Sequence, residues 1–121
     1  MESIYIAGPL TTAGYREENV RQACQVAMEF LEKGHPVFVP HLYEVLESEC
    51  LLNMSHDEWM DAMLPWLYAS DVIVFLPGWE QSEGAVMEYR RAVELGKVIV
   101  IYERYCKAKE AVKEAMLQGV G

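Results

Sequence analysis

The sequence predicts an α/β domain built on a parallel sheet with helices on both faces, and three observations carry that prediction. Short apolar runs alternate with longer stretches whose apolar residues recur at helical spacing. The clearest run, Val72-Ile73-Val74-Phe75-Leu76, is apolar on both faces, as a strand in the middle of a parallel sheet must be. A Gly or Pro closes nearly every element. With 121 residues, 52% of them hydrophobic and 24% charged, the chain is too short for two cores and too apolar for a disordered segment, so residues 1–121 read as a single domain.

Taken in order, Ile4-Tyr5-Ile6-Ala7 is a strand stopped by Gly8-Pro9. After a polar loop to Tyr15, apolar residues at Val20, Ala23, Cys24, Ala27 and Leu31 predict a helix, which Gly34 ends. Pro36-Val37-Phe38-Val39 is a second strand closed by Pro40-His41, with the proline at a strand end where no ladder bond is lost. Residues 42–54 fit either a short helix or a loop. Ser55-x-x-Glu58 is a capping box opening a helix through Tyr68, with Asp57, Glu58 and Asp61 on its polar face, Trp59, Met63 and Trp66 inward, and a kink at Pro65.

Asp71 opens the third strand, which ends at Pro77-Gly78, and Ser82 starts a helix that runs to Leu95 before Gly96. Val98-Ile99-Val100-Ile101-Tyr102 is the next strand, and a final amphipathic helix covers residues 107–117. This alternation is that of a Rossmann-like, flavodoxin-like sheet of four to five strands.

Nineteen acidic against ten basic residues give a formal charge of -9 with no Lys/Arg cluster, which disfavours polymer nucleic acid and anionic lipid as partners. It leaves room for a small anion held by backbone N–H groups at a helix start. Three cysteines without Cys-x-x-Cys spacing suggest neither a disulfide framework nor a zinc site, and no cofactor fingerprint such as Gly-x-Gly-x-x-Gly is present. The start Met1-Glu2-Ser3 lacks the basic, long apolar pattern of a signal peptide, and no stretch is long enough to span a bilayer, so a cytoplasmic protein is expected.

In such a sheet a ligand binds beyond the carboxyl ends of the strands, here at residues 8–15, 40–43 and 77–84. On a wheel of about 100° per residue, Leu95, Ala92, Tyr89, Val93 and Val86 fill one arc of the helix after Ser82, and Arg90, Arg91 and Glu94 fill the opposite one. Glu88 falls inside the apolar arc. Such a carboxylate either snorkels to water at the edge of the stripe or has partners and a task. Ser82 and Gly84 are an N-cap and a loop residue or, together, an anion site; Trp79 is a core aromatic or a stacking surface; His41 is a hydrogen-bonded loop residue or part of the site. His35 and His56 form no ligand cluster with His41. Asp71, at the far end of its strand by about 17 Å, reads as structural.

Tyr5-Ile6-Ala7-Gly8-Pro9, then Pro40-His41, then Leu76-Pro77-Gly78-Trp79-x-x-Ser82-x-Gly84-x-x-x-Glu88, then Ala92-x-x-x-Gly96-Lys97, resemble the nucleoside 2-deoxyribosyltransferase-like superfamily, which includes the 2-deoxynucleoside 5-monophosphate N-hydrolases. The resemblance implies that Glu88 is the nucleophile that attacks the anomeric carbon and forms a glycosyl ester. It implies that Ser82, where the transferases carry Asp, contacts a 5-phosphate and so favours hydrolysis over base exchange. It places His41 in the base or sugar pocket and Tyr5 and Gly8 beside the sugar; Pro9, Trp79 and Gly84 complete the set of substrate-binding candidates. The superfamily's second carboxylate falls on Met63, eight residues before Asp71. Either a kink at Pro65 brings Asp61 round to replace it, or that acid is missing.

The resemblance implies hydrolysis or transfer at the N-glycosidic bond of a (deoxy)nucleoside or nucleoside 5-monophosphate, and a homodimer. A non-catalytic nucleotide-binding module is the contrasting expectation, and Met63 in place of the acid is the feature that supports it.

Overall fold

The computed structural model describes residues 1–9, 16–43, 46 and 53–102. Among these residues four strands, β1 (Ile4–Ala7), β2 (Val37–Phe38), β3 (Val72–Phe75) and β4 (Val98–Ile101), form one parallel sheet in the order β2-β1-β3-β4. Three helices connect them: α1 (Arg16–Glu32), α2 (His56–Ala69) and α3 (Glu83–Glu94). The expected Rossmann-like, flavodoxin-like α/β fold is therefore present, with its topological switch between β1 and β3, where strand order turns from outward on one side to outward on the other. The predicted helix over residues 107–117 and the loop at 10–15 lie outside the described residues.

Every residue of β1 and β3 is buried, which is the burial that strands covered on both faces require. Alternation along the strands sorts the core into two layers. Ile4, Ile6, Val72, Val74 and Val100 pack with Ala23, Val26, Ala27 and Phe30 of α1 on one face. Tyr5, Ala7, Ile73 and Phe75 pack with Leu67 of α2 and Ala92 of α3 on the other. This parity sends the Tyr5 side chain toward α3.

Several expectations about helix faces are corrected. Leu31 is 54% exposed, and the buried stripe of α1 runs instead through Asn19, Ala23, Val26, Ala27 and Phe30, one step around the wheel. In α2 the buried residues are Met60, Met63 and Leu67, while Trp66 is half exposed and lies flat on Phe38 at 4.6 Å between ring centroids. Pro65 is accommodated inside an unbroken helix. In α3 the buried line is Ala85, Glu88 and Ala92, whereas Val93 and Leu95 are half exposed. Arg90, Arg91 and Glu94 are exposed as expected, and the covered face of α3 is turned away from Val93 toward Ala85 and Glu88.

The capping box is complete: Ser55 Oγ accepts from the Glu58 N–H and Glu58 Oε1 accepts from the Ser55 N–H, both at 3.2 Å. At the amino edge of the sheet, Asp71 Oδ2 accepts from the Ser3 N–H at 2.8 Å and from its hydroxyl at 3.1 Å, tying the start of β3 to the start of β1. These hydrogen bonds hold the Asp71 carboxyl below its usual range, and the structural reading of this residue agrees with its place. Among the described residues no helix is long and apolar enough to cross a membrane.

Candidate functional site

A cavity of about 400 Å³ opens at the carboxyl edge of the sheet. Its walls come from the end of β1 (Ile6, Ala7, Gly8), the turn after β2 (Pro40, His41), the start of α2 (Ser55, His56, Trp59, Met60) and the start of α3 (Gln81, Ser82, Glu83, Gly84, Ala85, Glu88). In a parallel sheet each connecting helix begins at the carboxyl edge and runs back toward the amino edge, so α2 and α3 both present their N-termini here. The N-caps of the two helices, Ser55 and Ser82, both line the space.

Glu88 sits at the middle of the buried stripe of α3 and is 8% exposed. One carboxylate oxygen, Oε2, accepts a hydrogen bond from the Tyr5 hydroxyl, the side chain that strand parity aims at α3. Burial pushes the Glu88 carboxyl up to about 7, and the Tyr5 bond opposes that shift by favouring the ion. Tyr5 is itself wholly buried and does not line the cavity. Burial, then the facing Glu88, push its hydroxyl well above the usual phenol range, so Tyr5 stays a proton donor to the carboxylate.

His41 is 2% exposed, and its Nε2 lies 3.2 Å from the Pro9 carbonyl oxygen. A carbonyl only accepts, so Nε2 carries the proton and Nδ1 is left as a buried acceptor without a partner among the described residues. Burial lowers the imidazole to about 4, against a smaller opposing effect of the Pro9 bond, so the ring is neutral near pH 7. Pro9 contributes through this carbonyl rather than through the cavity wall.

Gly8 allows a close approach of backbones. A Cβ there would lie 2.8 Å from Leu76 Cβ, and the two segments are pinned by the Leu76 N–H donating to the Ala7 carbonyl at 2.8 Å. Gly8→Ala is expected to destabilise the fold by about 1–3 kcal/mol, read as a lowered urea midpoint. Gly84→Ala is the matched control. Its added Cβ meets nothing nearer than Met60 Sδ at 3.6 Å, so its midpoint should stay close to that of the parent chain.

Ser82 caps α3 by accepting from the Ala85 N–H at 3.3 Å, which leaves its own O–H free to donate to an oxygen in the cavity. The first N–H groups of α3, those of Glu83 and Gly84, have no acceptor within the helix. Among the described residues the lining carries the carboxylates of Glu83 and Glu88 and no Lys or Arg. No group of three metal-ligating side chains comes together among the described residues.

Of the candidates read from the sequence, Gly8, His41, Ser82, Gly84 and Glu88 line one cavity, and Tyr5 and Pro9 stand directly behind it. Two are elsewhere. Asp61 is exposed on α2 and outside the lining, since it lies on the outer face of the helix, one residue past the lining Met60. Met63 is wholly buried in the core, and Asp61 is not brought round to the cavity in its place. Trp79 is stacked on Tyr89 at 4.8 Å and tilted against Phe75 at 5.2 Å, which makes it part of the core beneath α3.

His56, Trp59, Gln81 and Glu83 belong to the lining and were not singled out from the sequence. The signal was available for His56 and Trp59, because a capping box after β2 must open its helix at the edge where ligands bind.

No curated protein matches the chain. A family model described as a domain of unknown function, DUF4406, matches residues 2–101 and so spans every described element from β1 to β4. The chain belongs to the DUF4406 family.

Proposed function

We propose that the protein is a cytoplasmic enzyme of the nucleoside 2-deoxyribosyltransferase type that breaks the N-glycosidic bond of a (deoxy)nucleoside or nucleoside 5-monophosphate, with water as the usual acceptor. The observation that carries the reading is Glu88: a carboxylate buried on an otherwise apolar helix stripe, lining a cavity at the topological switch, with its orientation held by Tyr5.

A buried carboxylate without a task costs free energy, and sites with perturbed carboxylates at the carboxyl edge of an α/β sheet are where catalysis is found. The chemistry asked of Glu88 is that of a retaining glycosidase. Its carboxylate attacks the anomeric carbon as the base departs, giving a glycosyl ester, and water then cleaves the ester. Positive charge developing on the sugar ring favours the ionised form of Glu88 as the transition state is approached. Tyr5 holds one carboxylate oxygen, so the other is the one left to react. The Ser82 hydroxyl and the N–H groups at the start of α3 would hold the 5-hydroxyl or 5-phosphate, since the described lining offers no cation for that purpose.

A homodimer goes with the reading. Half-exposed Trp66, stacked on Phe38, is apolar surface for a second copy to cover.

The test is direct. The protein is incubated with a panel of nucleosides and 5-monophosphates, free base is followed by chromatography, and the intact mass is checked for a glycosyl adduct. Base release that disappears in Glu88→Gln supports the reading. Tight binding with no release, unchanged by that substitution, would replace it with a non-catalytic nucleotide-binding module, a reading favoured by the place of Asp61 on the exposed face of α2, outside the cavity lining.

A further inference from the structure

Cleavage with retention needs two groups, one that takes the sugar and one that gives a proton to the departing base. This inference rests on the reading above and concerns the second group. Among the described lining residues the carboxyl and imidazole side chains, the groups that serve as general acids and bases, are Glu83, Glu88, His41 and His56. Glu88 is committed to the sugar. His41 is fixed with its proton on the Pro9 carbonyl and its other nitrogen buried, so it has no proton to give to a ligand.

His56 has a different setting. It is the first residue of α2, it is exposed, and it lines the cavity. Its ring leans on the start of α3: His56 Cε1 lies 3.7 Å from where a Cβ of Gly84 would be. Gly84 and Glu88 are one turn apart on the same face, with about 6 Å between their Cβ positions. Gly84 thus puts no side chain between the imidazole and the carboxylate, and His56 and Glu88 line the same cavity of about 400 Å³, the space in which a sugar and its leaving base would lie. The ionisable groups around the imidazole are Glu83 and Glu88 from α3, Asp57 and Glu58 from its own first turn, and His41 after β2.

We propose that His56 is the proton-transfer residue for the departing base. In the first step Glu88 forms the C1–O bond, the C1–N bond breaks with its electron pair moving onto the base, and imidazolium His56 gives that base its proton. In the second step the now neutral imidazole takes a proton from water as the water oxygen bonds to C1, and Glu88 leaves as carboxylate. The sum is nucleoside plus water giving free base plus sugar, with both residues returned to their starting states. Glu83 is the competing carboxylate on the same wall, and the substitution series below separates the two.

The experiment compares two substrates of the same sugar: the panel nucleoside that the parent protein cleaves fastest, and the 4-nitrophenyl glycoside, whose phenolate leaves without protonation. Both kcat/KM values report steps up to departure of the leaving group. For His56→Gln and His56→Ala, kcat/KM on the nucleoside should fall about 100-fold or more, while the value on the nitrophenyl glycoside stays within about threefold. The alkaline limb of the nucleoside pH profile should vanish in both variants, and added imidazole should restore part of the activity of His56→Ala.

Loss shared equally by the two substrates, or no loss, overturns the role of His56 while leaving Glu88 in place, as does a selective loss on the nucleoside in Glu83→Gln instead. Glu88→Gln should lose both substrates. If the parent chain cleaves neither, the glycosidic reading and this one fall together.

Discussion

Glu88→Gln is expected to abolish base release, lowering kcat/KM by about a thousandfold or more, which is roughly 4 kcal/mol of transition-state stabilisation. The substitution keeps the shape of the side chain and an oxygen that can accept from Tyr5, so the cavity wall should survive. What it removes is the negative charge that the sugar cation needs and the oxygen that forms the ester. Ligand affinity should change little, because the wall, the Ser82 hydroxyl and the helix N–H groups are untouched. Rate constants for free base together with ligand titrations make the distinction: loss of rate with retained affinity is the expected pattern, and equal loss of both would mean that Glu88 only shapes the pocket.

The second large effect is on stability against pH. Glu88 has a folded value of about 7 against an ordinary 4.5, so between those values the native state keeps a proton that the unfolded chain has released, and its contribution to stability falls as pH rises from about 4.5 to 7. His41 acts in the opposite sense over nearly the same window. Its folded value of about 4 against 6.5 means that the unfolded chain binds the proton first, so this contribution rises with pH from about 4 to 6.5. Each spans a few pKa units, on the order of 3 kcal/mol, and in the parent chain they largely cancel.

Glu88→Gln exposes the hidden pair. Its stability should match that of the parent near pH 4.5 and exceed it by about 3 kcal/mol, or roughly 10 °C in Tm, at pH 7.5. A constant difference across that range, measured by thermal or urea unfolding, would show that Glu88 is not held in the buried, protonated state. A catalytic residue whose removal stabilises the fold is the trade expected of a functional carboxylate in an apolar layer.

Much of this architecture was legible along the chain because its signals are local. The runs at Ile4–Ala7 and Val72–Phe75, the capping box of Ser55 and Glu58, and the left-handed glycines at 34, 78 and 96 each follow from a few neighbouring residues. Glu88 could be singled out because a charge inside an apolar stripe violates a local rule. The errors fell where long-range packing decides. Trp66 and Leu31 fit a helical repeat yet face outward, and Val93 was placed inside the α3 stripe, because the sheet's position selects which side of each helix is covered. Trp79 sits beside the loop that ends β3, but only the ring of Tyr89, ten residues on, shows that it belongs to the core.

By itself the sequence determined the order of strands and helices, their caps and stops, and the presence of one carboxylate in the wrong company. Those are properties of backbone propensity and of periodicity, which act over a few residues. Only the tertiary structure decided who that carboxylate's neighbours are. Tyr5 meets Glu88 across 83 positions because strand parity turns the Tyr5 side chain to the face of the sheet that α3 covers, and His56 reaches the same cavity because every helix after a parallel strand starts at the same edge. Asp61 follows Met60, which lines the cavity, by a single residue of α2, but the rotation of about 100° per residue turns the carboxylate onto the exposed face while His56, Trp59 and Met60 stay at the wall.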